Sequence, residues 1–173
     1  MLVIFRGLPG TGKSYLVRQL IARQPSFHVV SRDALRAAVL PHPTFSEEEK
    51  SLVDDLVCTI AGFLLDRGKD VVIDGMALSS ADRVGQLVQV AQARRVPARV
   101  VECVCWQDTA LSRIASDDGS HPAGDRGEAL YARVKARFQA IPYPCLIVDT
   151  DEPTESSVAA ILAYLPGVKE SRR

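Results

Sequence analysis

Gly7-Leu8-Pro9-Gly10-Thr11-Gly12-Lys13-Ser14 follows the apolar run Leu2-Val3-Ile4-Phe5 and precedes a helix-period pattern at Leu16, Leu20 and Ile21. A buried strand, a glycine-rich turn and a helix start, in that order, make a cradle for a polyphosphate. The glycines let backbone N–H groups turn inward around an anion, and the helix aims the positive end of its dipole at the same point. Lys13 then reaches the β- and γ-phosphates, and the Ser14 hydroxyl is placed to ligate Mg²⁺. Every fixed position of the P-loop pattern is filled, so nucleotide contacts are expected from Gly7, Leu8, Pro9, Gly10, Thr11, Gly12, Lys13, Ser14 and Tyr15. The alternative is a Gly-rich turn with an ordinary surface lysine, and the strand–loop–helix context argues against it.

Four further apolar runs read as strands: Phe27 to Val30, Val71 to Asp74, Val100 to Trp106 and Cys145 to Asp149. Helix-period stretches lie between them. Ser46 and Glu49 form a capping box that opens the longest helix, which Gly68 stops after Arg67. Strands alternating with helices, each strand leaving at one edge, predict a doubly wound α/β three-layer sandwich of the P-loop NTPase type with a mainly parallel five-stranded sheet. One domain over residues 1–167 and a charged tail over 168–173 are expected. Residues 116–126 hold turn formers without apolar periodicity between two helices, which predicts a small lid.

With 21 basic and 21 acidic residues in 173, no overall cationic field recruits nucleic acid or membrane. No apolar run is long enough to span a bilayer, and the first one ends at Arg6, too short for a signal peptide. A cytoplasmic location is expected. Cys58, Cys103, Cys105 and Cys145 sit in apolar stretches and read as reduced core residues. The Cys103-x-Cys105 pair lacks a second ligand pair at zinc spacing.

In open α/β sheets ligands bind beyond the carboxyl ends of the strands. Asp33 follows the second strand and Asp74 ends the third, so both carboxylates arrive on the P-loop side. Asp33 is the candidate base. Arg36, one helical turn on, is the candidate acceptor-binding cation. Asp74 is a candidate for the Mg²⁺ or for acceptor binding, with a solvated or capping Asp in a tight turn as its alternative. A guanine-reading motif is absent, and an AAA⁺-type assembly would ask for a longer chain with a sensor domain. Transfer of the γ-phosphate of ATP to a hydroxyl, or its hydrolysis, remains.

Gly-Leu-Pro-Gly-Thr-Gly-Lys-Ser, Ser-Arg-Asp-Ala-Leu-Arg after the second strand, Val-Val-Ile-Asp-Gly after the long helix and the Arg113 segment together resemble the P-loop kinases similar to polynucleotide 5′-hydroxyl kinase. Chloramphenicol phosphotransferase, gluconate kinase and zeta-toxin kinases are more distant relatives. The resemblance covers nearly the whole chain. It implies that Asp33 activates the acceptor, Arg36 holds it, Asp74 supports acceptor or metal, and Arg113 contacts the nucleotide as the first of two lid-flanking arginines. Where the family often has the second arginine there is Asp117, and Arg126 is taken as the catalytic lid cation in its place.

The clearest basic cluster, Arg94, Arg95 and Arg99, falls at the edge away from the P-loop, and aromatic content is low. A polynucleotide acceptor wants a cationic groove and stacking aromatics. A small hydroxylated acceptor is therefore preferred, with a polynucleotide 5′ end as runner-up. A nucleotide-binding regulatory module with little turnover is the third reading.

Overall fold

The computed structural model describes residues 1–116 and 127–167. Strands β1 (Leu2–Arg6), β2 (His28–Ser31), β3 (Val71–Asp74), β4 (Ala98–Val104) and β5 (Cys145–Asp149) form one sheet in the order β2-β3-β1-β4-β5. Every neighbouring pair is parallel, so the sheet is wholly rather than mainly parallel. The helices among the described residues are α1 (Lys13–Arg23), α2 (Arg32–Val39), α3 (Glu47–Asp66), α4 (Ala81–Gln92), α5 (Gln107–Ala115), α6 (Glu128–Lys135) and α7 (Thr154–Tyr164).

Side chains of β1 alternate between two cores. Leu2 and Ile4 pack with Val57 and Ala61 of α3 and Val84 and Leu87 of α4. Val3 and Phe5 pack with Leu16 and Leu20 of α1 and Val158 and Ile161 of α7. These four apolar residues of β1 are fully buried, each stabilising the fold by roughly 1.5–3 kcal/mol. An apolar strand with no polar face must lie at the centre of a covered sheet, and β1 does.

Ser31, Ser46 and Ser80 cap α2, α3 and α4, each hydroxyl accepting a backbone N–H of the first turn. Only half of the expected capping box forms. The Glu49 carboxylate accepts from the N–H groups of Thr44 (2.8 Å) and Phe45 (2.7 Å) instead of the Ser46 N–H. That grip holds Phe45 at φ 57°.

Strands β2 and β4 are each shifted from the sequence expectation, β2 by one residue to His28–Ser31. The ladder of β4 starts at Ala98, opposite Leu2, and ends at Val104, opposite Asp149. Trp106 lies beyond the strand because Asp151 takes its N–H at 2.7 Å, and its ring is exposed. Helix α6 stops at Lys135, and Phe138 leaves the helix to lie 4.2 Å from the Arg6 guanidinium.

Glu102, which interrupts β4, faces Arg6 across the ladder, with Nε to Oε2 at 3.3 Å. Arg6 is 1% exposed and donates to the Gln139 carbonyl at 2.8 Å. Burial lowers its pKa and Glu102 opposes that shift. One buried guanidinium thus ties the end of β1 to the strap of residues 136–139. The four cysteines are free. Burial pushes the Cys103 thiol up to about 12, and no group of three His, Cys, Asp or Glu able to hold a metal occurs among the described residues.

Replacing Arg6 by Met keeps volume but strands Glu102 and the Gln139 carbonyl. Removing one partner of a buried pair costs about 3–5 kcal/mol, and the partly exposed Glu102 sets the low end here. Urea unfolding should show that loss, and Arg6→Met with Glu102→Leu should recover most of it. A single-variant loss under about 1 kcal/mol would show that the pair does not hold the strap.

Candidate nucleotide and acceptor site

The start of α1 differs from those of α2, α3 and α4. Its N-cap is Gly12 at φ 74°, ψ 13°, with no side-chain cap and no acid in the first turn. A left-handed N-cap is cheap only for glycine, and it leaves the first-turn N–H groups facing the loop. Thr11 is 3% exposed and its Oγ1 donates to the Leu8 carbonyl at 2.8 Å, bracing the turn from behind. Lys13 Nζ lies across the loop, donating to the carbonyls of Gly7 (2.9 Å) and Leu8 (2.7 Å).

Parallel pairing brings the carboxyl end of β3 beside this loop. Ser14 Oγ donates to Asp74 Oδ1 at 2.9 Å, and Asp74 is 8% exposed. The solvated-turn alternative for Asp74 is thereby set aside. Register places Ser31 of β2 opposite Asp74, so Asp33 in the first turn of α2 comes next. A Cβ built on Gly75 would stand 3.1 Å from Asp33 Oδ2. Arg36 is buried, 3.4 Å from Asp33 Oδ1 and 5.2 Å over the Phe45 ring. Among the described residues its ion pair is with Asp33.

Lys13, Ser14, Tyr15, Asp33, Arg36, Asp74 and Arg113 all line one cleft of about 690 Å³, together with Pro9, Gly10 and Gly12. Gly7, Leu8 and Thr11 stand behind that surface. Arg113 donates to Thr150 Oγ1 and to the Thr150 carbonyl, both at 2.9 Å, which holds α5 to the loop after β5. Arg126, Asp117 and most of the expected lid lie outside the described residues.

The same lining holds five further cations, Arg18, Arg32, Lys50, Arg133 and Arg137, of which the sequence suggests only Arg133, as a substitute for Arg126. Spacing could have found Arg18, one turn after Ser14, and Arg32, beside Asp33. Nothing local marks Lys50 or Arg137, which arrive from α3 and the strap. With Lys13, Arg36 and Arg113 the five stand beside Asp33 and Asp74, the acids of this lining among the described residues. The basic cluster read from the sequence serves the fold instead. Arg94 bonds Asp66 at 2.8 Å and the Gly62 and Val90 carbonyls at 3.0 Å, and Arg99 lies 5.7 Å over Tyr164. Among the described residues no helix is long and apolar enough to cross a membrane.

The arrangement of sheet and helices is that of the P-loop kinases. A protein from Chloroflexus aurantiacus J-10-fl described as a kinase superposes with a TM-score of 0.75 at 21% identity, over 95% of this chain and 97% of that one. A sugar kinase from Janibacter sp. HTCC2649 gives 0.73 at 15% identity, over 94% and 92%. The Mycobacterium tuberculosis APS kinase, solved with AMPPNP and APS, gives 0.71 at 18% identity, over 94% and 95%. No curated protein gives a significant sequence match. Residues 2–153 match the family model AAA_33, described as an AAA domain. That span is well over half of the sequence, and the chain belongs to the AAA_33 family.

Proposed function

We propose that this protein is an ATP-dependent kinase that transfers the γ-phosphoryl group to a hydroxyl of a small-molecule acceptor. The observation that carries the reading is the placing of the Asp33 carboxylate against Gly75, the residue after Asp74, which itself bonds Ser14 of the phosphate loop. A base for the acceptor and a cradle for the donor thus face one cleft.

In this reading the uncapped N–H groups of α1 take the β-phosphate, and Lys13 exchanges its two carbonyl partners for phosphate oxygens. Arg113 and Arg133 line the cleft from α5 and α6 and neutralise charge on the transferring group. Asp33 accepts the acceptor's hydroxyl proton. Arg36 fixes Asp33 from the buried side and lines the acceptor wall. Mg²⁺ fits Ser14 and Asp74: their oxygens are 2.9 Å apart, and an octahedral ion with 2.0–2.1 Å bonds has edges of about 2.9 Å. When bound, the ion neutralises charge on the β- and γ-oxygens.

The cationic lining also favours a polynucleotide 5′-hydroxyl end, the second reading. ATP consumption is to be measured alone, with a panel of neutral and charged alcohols, and with a 5′-hydroxyl oligonucleotide. Stimulation by alcohols supports the first reading, and stimulation by the oligonucleotide alone the second. ATP binding with no stimulation by any acceptor leaves a nucleotide-binding module and overturns both.

Lys13→Ala should abolish productive ATP binding without lowering the melting temperature, since the side chain stands in the loop and lines the cleft rather than the core. Unchanged ATP affinity in a folded variant would sink the P-loop assignment. Asp33→Asn keeps size and removes the base, so kcat should fall about 10²–10⁴-fold while ATP still binds. Loss of ATP binding instead would make Asp33 part of the donor site and Asp74 the better base.

A further inference from the structure

A second cavity of about 610 Å³ shares Arg32, Lys50 and Arg137 with the first cleft and extends it away from the P-loop. Pockets of some 300–1,000 Å³ suit a small molecule. Its walls are α3, the loop joining β3 to α4, and the strap after α6. The strap is held in place: the Gln139 N–H donates to the Ser79 carbonyl at 2.8 Å, and the Ala81 N–H donates to Gln139 Oε1 at 3.0 Å.

The charges in this cavity do not cancel. Asp54 is 6% exposed, accepts from Arg32 Nε at 2.5 Å and ion-pairs with Arg83. One carboxylate therefore serves two guanidinium groups. Lys50 and Glu47 form a neutral pair at 2.8 Å. Arg137 donates its Nε–H to the Arg133 carbonyl and has no carboxylate at ion-pair distance among the described residues. Among the described residues of the lining, four cations thus face two acids. The Glu47 carboxyl is held low first by its Lys50 hydrogen bond, and Arg137 and Arg83 add to that, so these groups share one field.

We infer that this cavity holds the phosphate or carboxylate group of an anionic, hydroxylated acceptor, with Arg83 and Arg137 as its contacts and Asp54 as the buried counter-ion that sets Arg83. Two more cations than acids among the described lining residues favour an anion, and guanidinium forks match phosphate and carboxylate geometry. Asp54 removes freedom from Arg83 before the ligand arrives, so less order is lost on binding. The identification of the ligand as acceptor rests on the kinase reading. The anion site itself does not.

The test fills the P-loop with AMPPNP and Mg²⁺, then titrates inorganic phosphate, malonate and glycerol while following the arginine side-chain ¹⁵N signals. Phosphate or malonate should move the Arg83 and Arg137 signals saturably, and glycerol should not. The stronger of the two anions identifies the charged group. Arg83→Gln should weaken that binding about 10–100-fold. Arg83→Lys keeps the Asp54 pair, serves where the Gln variant unfolds, and should also weaken it because the fork is lost. No saturable shift with either anion, or affinity within twofold of wild type in the folded Arg83 variant, overturns the site. Anion binding in a protein that no acceptor stimulates keeps the site and sinks the kinase. Acceptor-stimulated turnover without anion binding does the reverse.

Discussion

Strand β1 is paired on both edges and covered on both faces, and this double burial decides where every reactive group stands. A strand so enclosed leaves the sheet only at its carboxyl end, between the ends of β3 and β4. Gly7 makes that turn under clamp: its N–H donates to the Ala77 carbonyl at 3.2 Å, and a Cβ there would lie 2.4 Å from the Cys103 carbonyl. The phosphate loop is therefore braced by the neighbouring strands' own exits. Because β3 and β2 run parallel to β1, their last residues reach the same edge in order. Asp74 meets Ser14, and Asp33 follows one strand further out.

Charge is distributed against the average. The chain has equal numbers of acids and bases, yet among the described residues eight cations and two carboxylates line the main cleft. Low-dielectric walls focus such a field on an incoming polyanion. Some of these cations rest on neutral oxygens, Lys13 on the Gly7 and Leu8 carbonyls, Arg113 on Thr150 and Arg137 on the Arg133 carbonyl, while Arg32, Arg36 and Lys50 pair with Asp54, Asp33 and Glu47. Replacing a carbonyl by a phosphate oxygen turns an ordinary hydrogen bond into a charge-assisted one, roughly twice as strong. Nucleotide binding is thus an exchange of partners rather than the pairing of bare charges, and it should weaken as salt screens the exposed rim.

What the sequence discloses about this site divides by the range of the interaction. Lys13, Ser14 and Asp74 are marked by patterns a few residues long, and the order of strands and helices implies that their loops meet. Asp33 is read in the same way, from its place after an apolar run. Arg6 with Glu102, and Arg83 with Asp54, are pairs across elements. No local pattern signals them, since each residue alone looks like a polar interruption or a solvated helix face. Phe138 shows the limit from the other side. Its apolar spacing continues α6, but the buried Arg6 needs a cover and draws the ring out of the helix. Glu49 fits a capping box, yet two unpaired N–H groups at Thr44 and Phe45 compete for its carboxylate and win.

The phosphate loop alone does not distinguish a kinase from a hydrolase, because Lys13 and Ser14 serve either reaction. In the proposed reading, the difference lies in which oxygen is held beside Asp33. Water is always present, so transfer requires that an acceptor hydroxyl be positioned far more often than chance would allow. Well-oriented groups reach effective concentrations of about 10⁵–10⁸ M, which outcompetes solvent only if the acceptor is anchored at a second point. An anchor must be rigid and must stand apart from the reacting oxygen. The Asp54–Arg83 pair meets both conditions, being set in place by a buried carboxylate and lining only the cavity beyond Arg32 and Lys50. In the proposed kinase reading, the same residues that give the second cavity its charge would supply what the phosphate loop lacks: a means of choosing an alcohol over water.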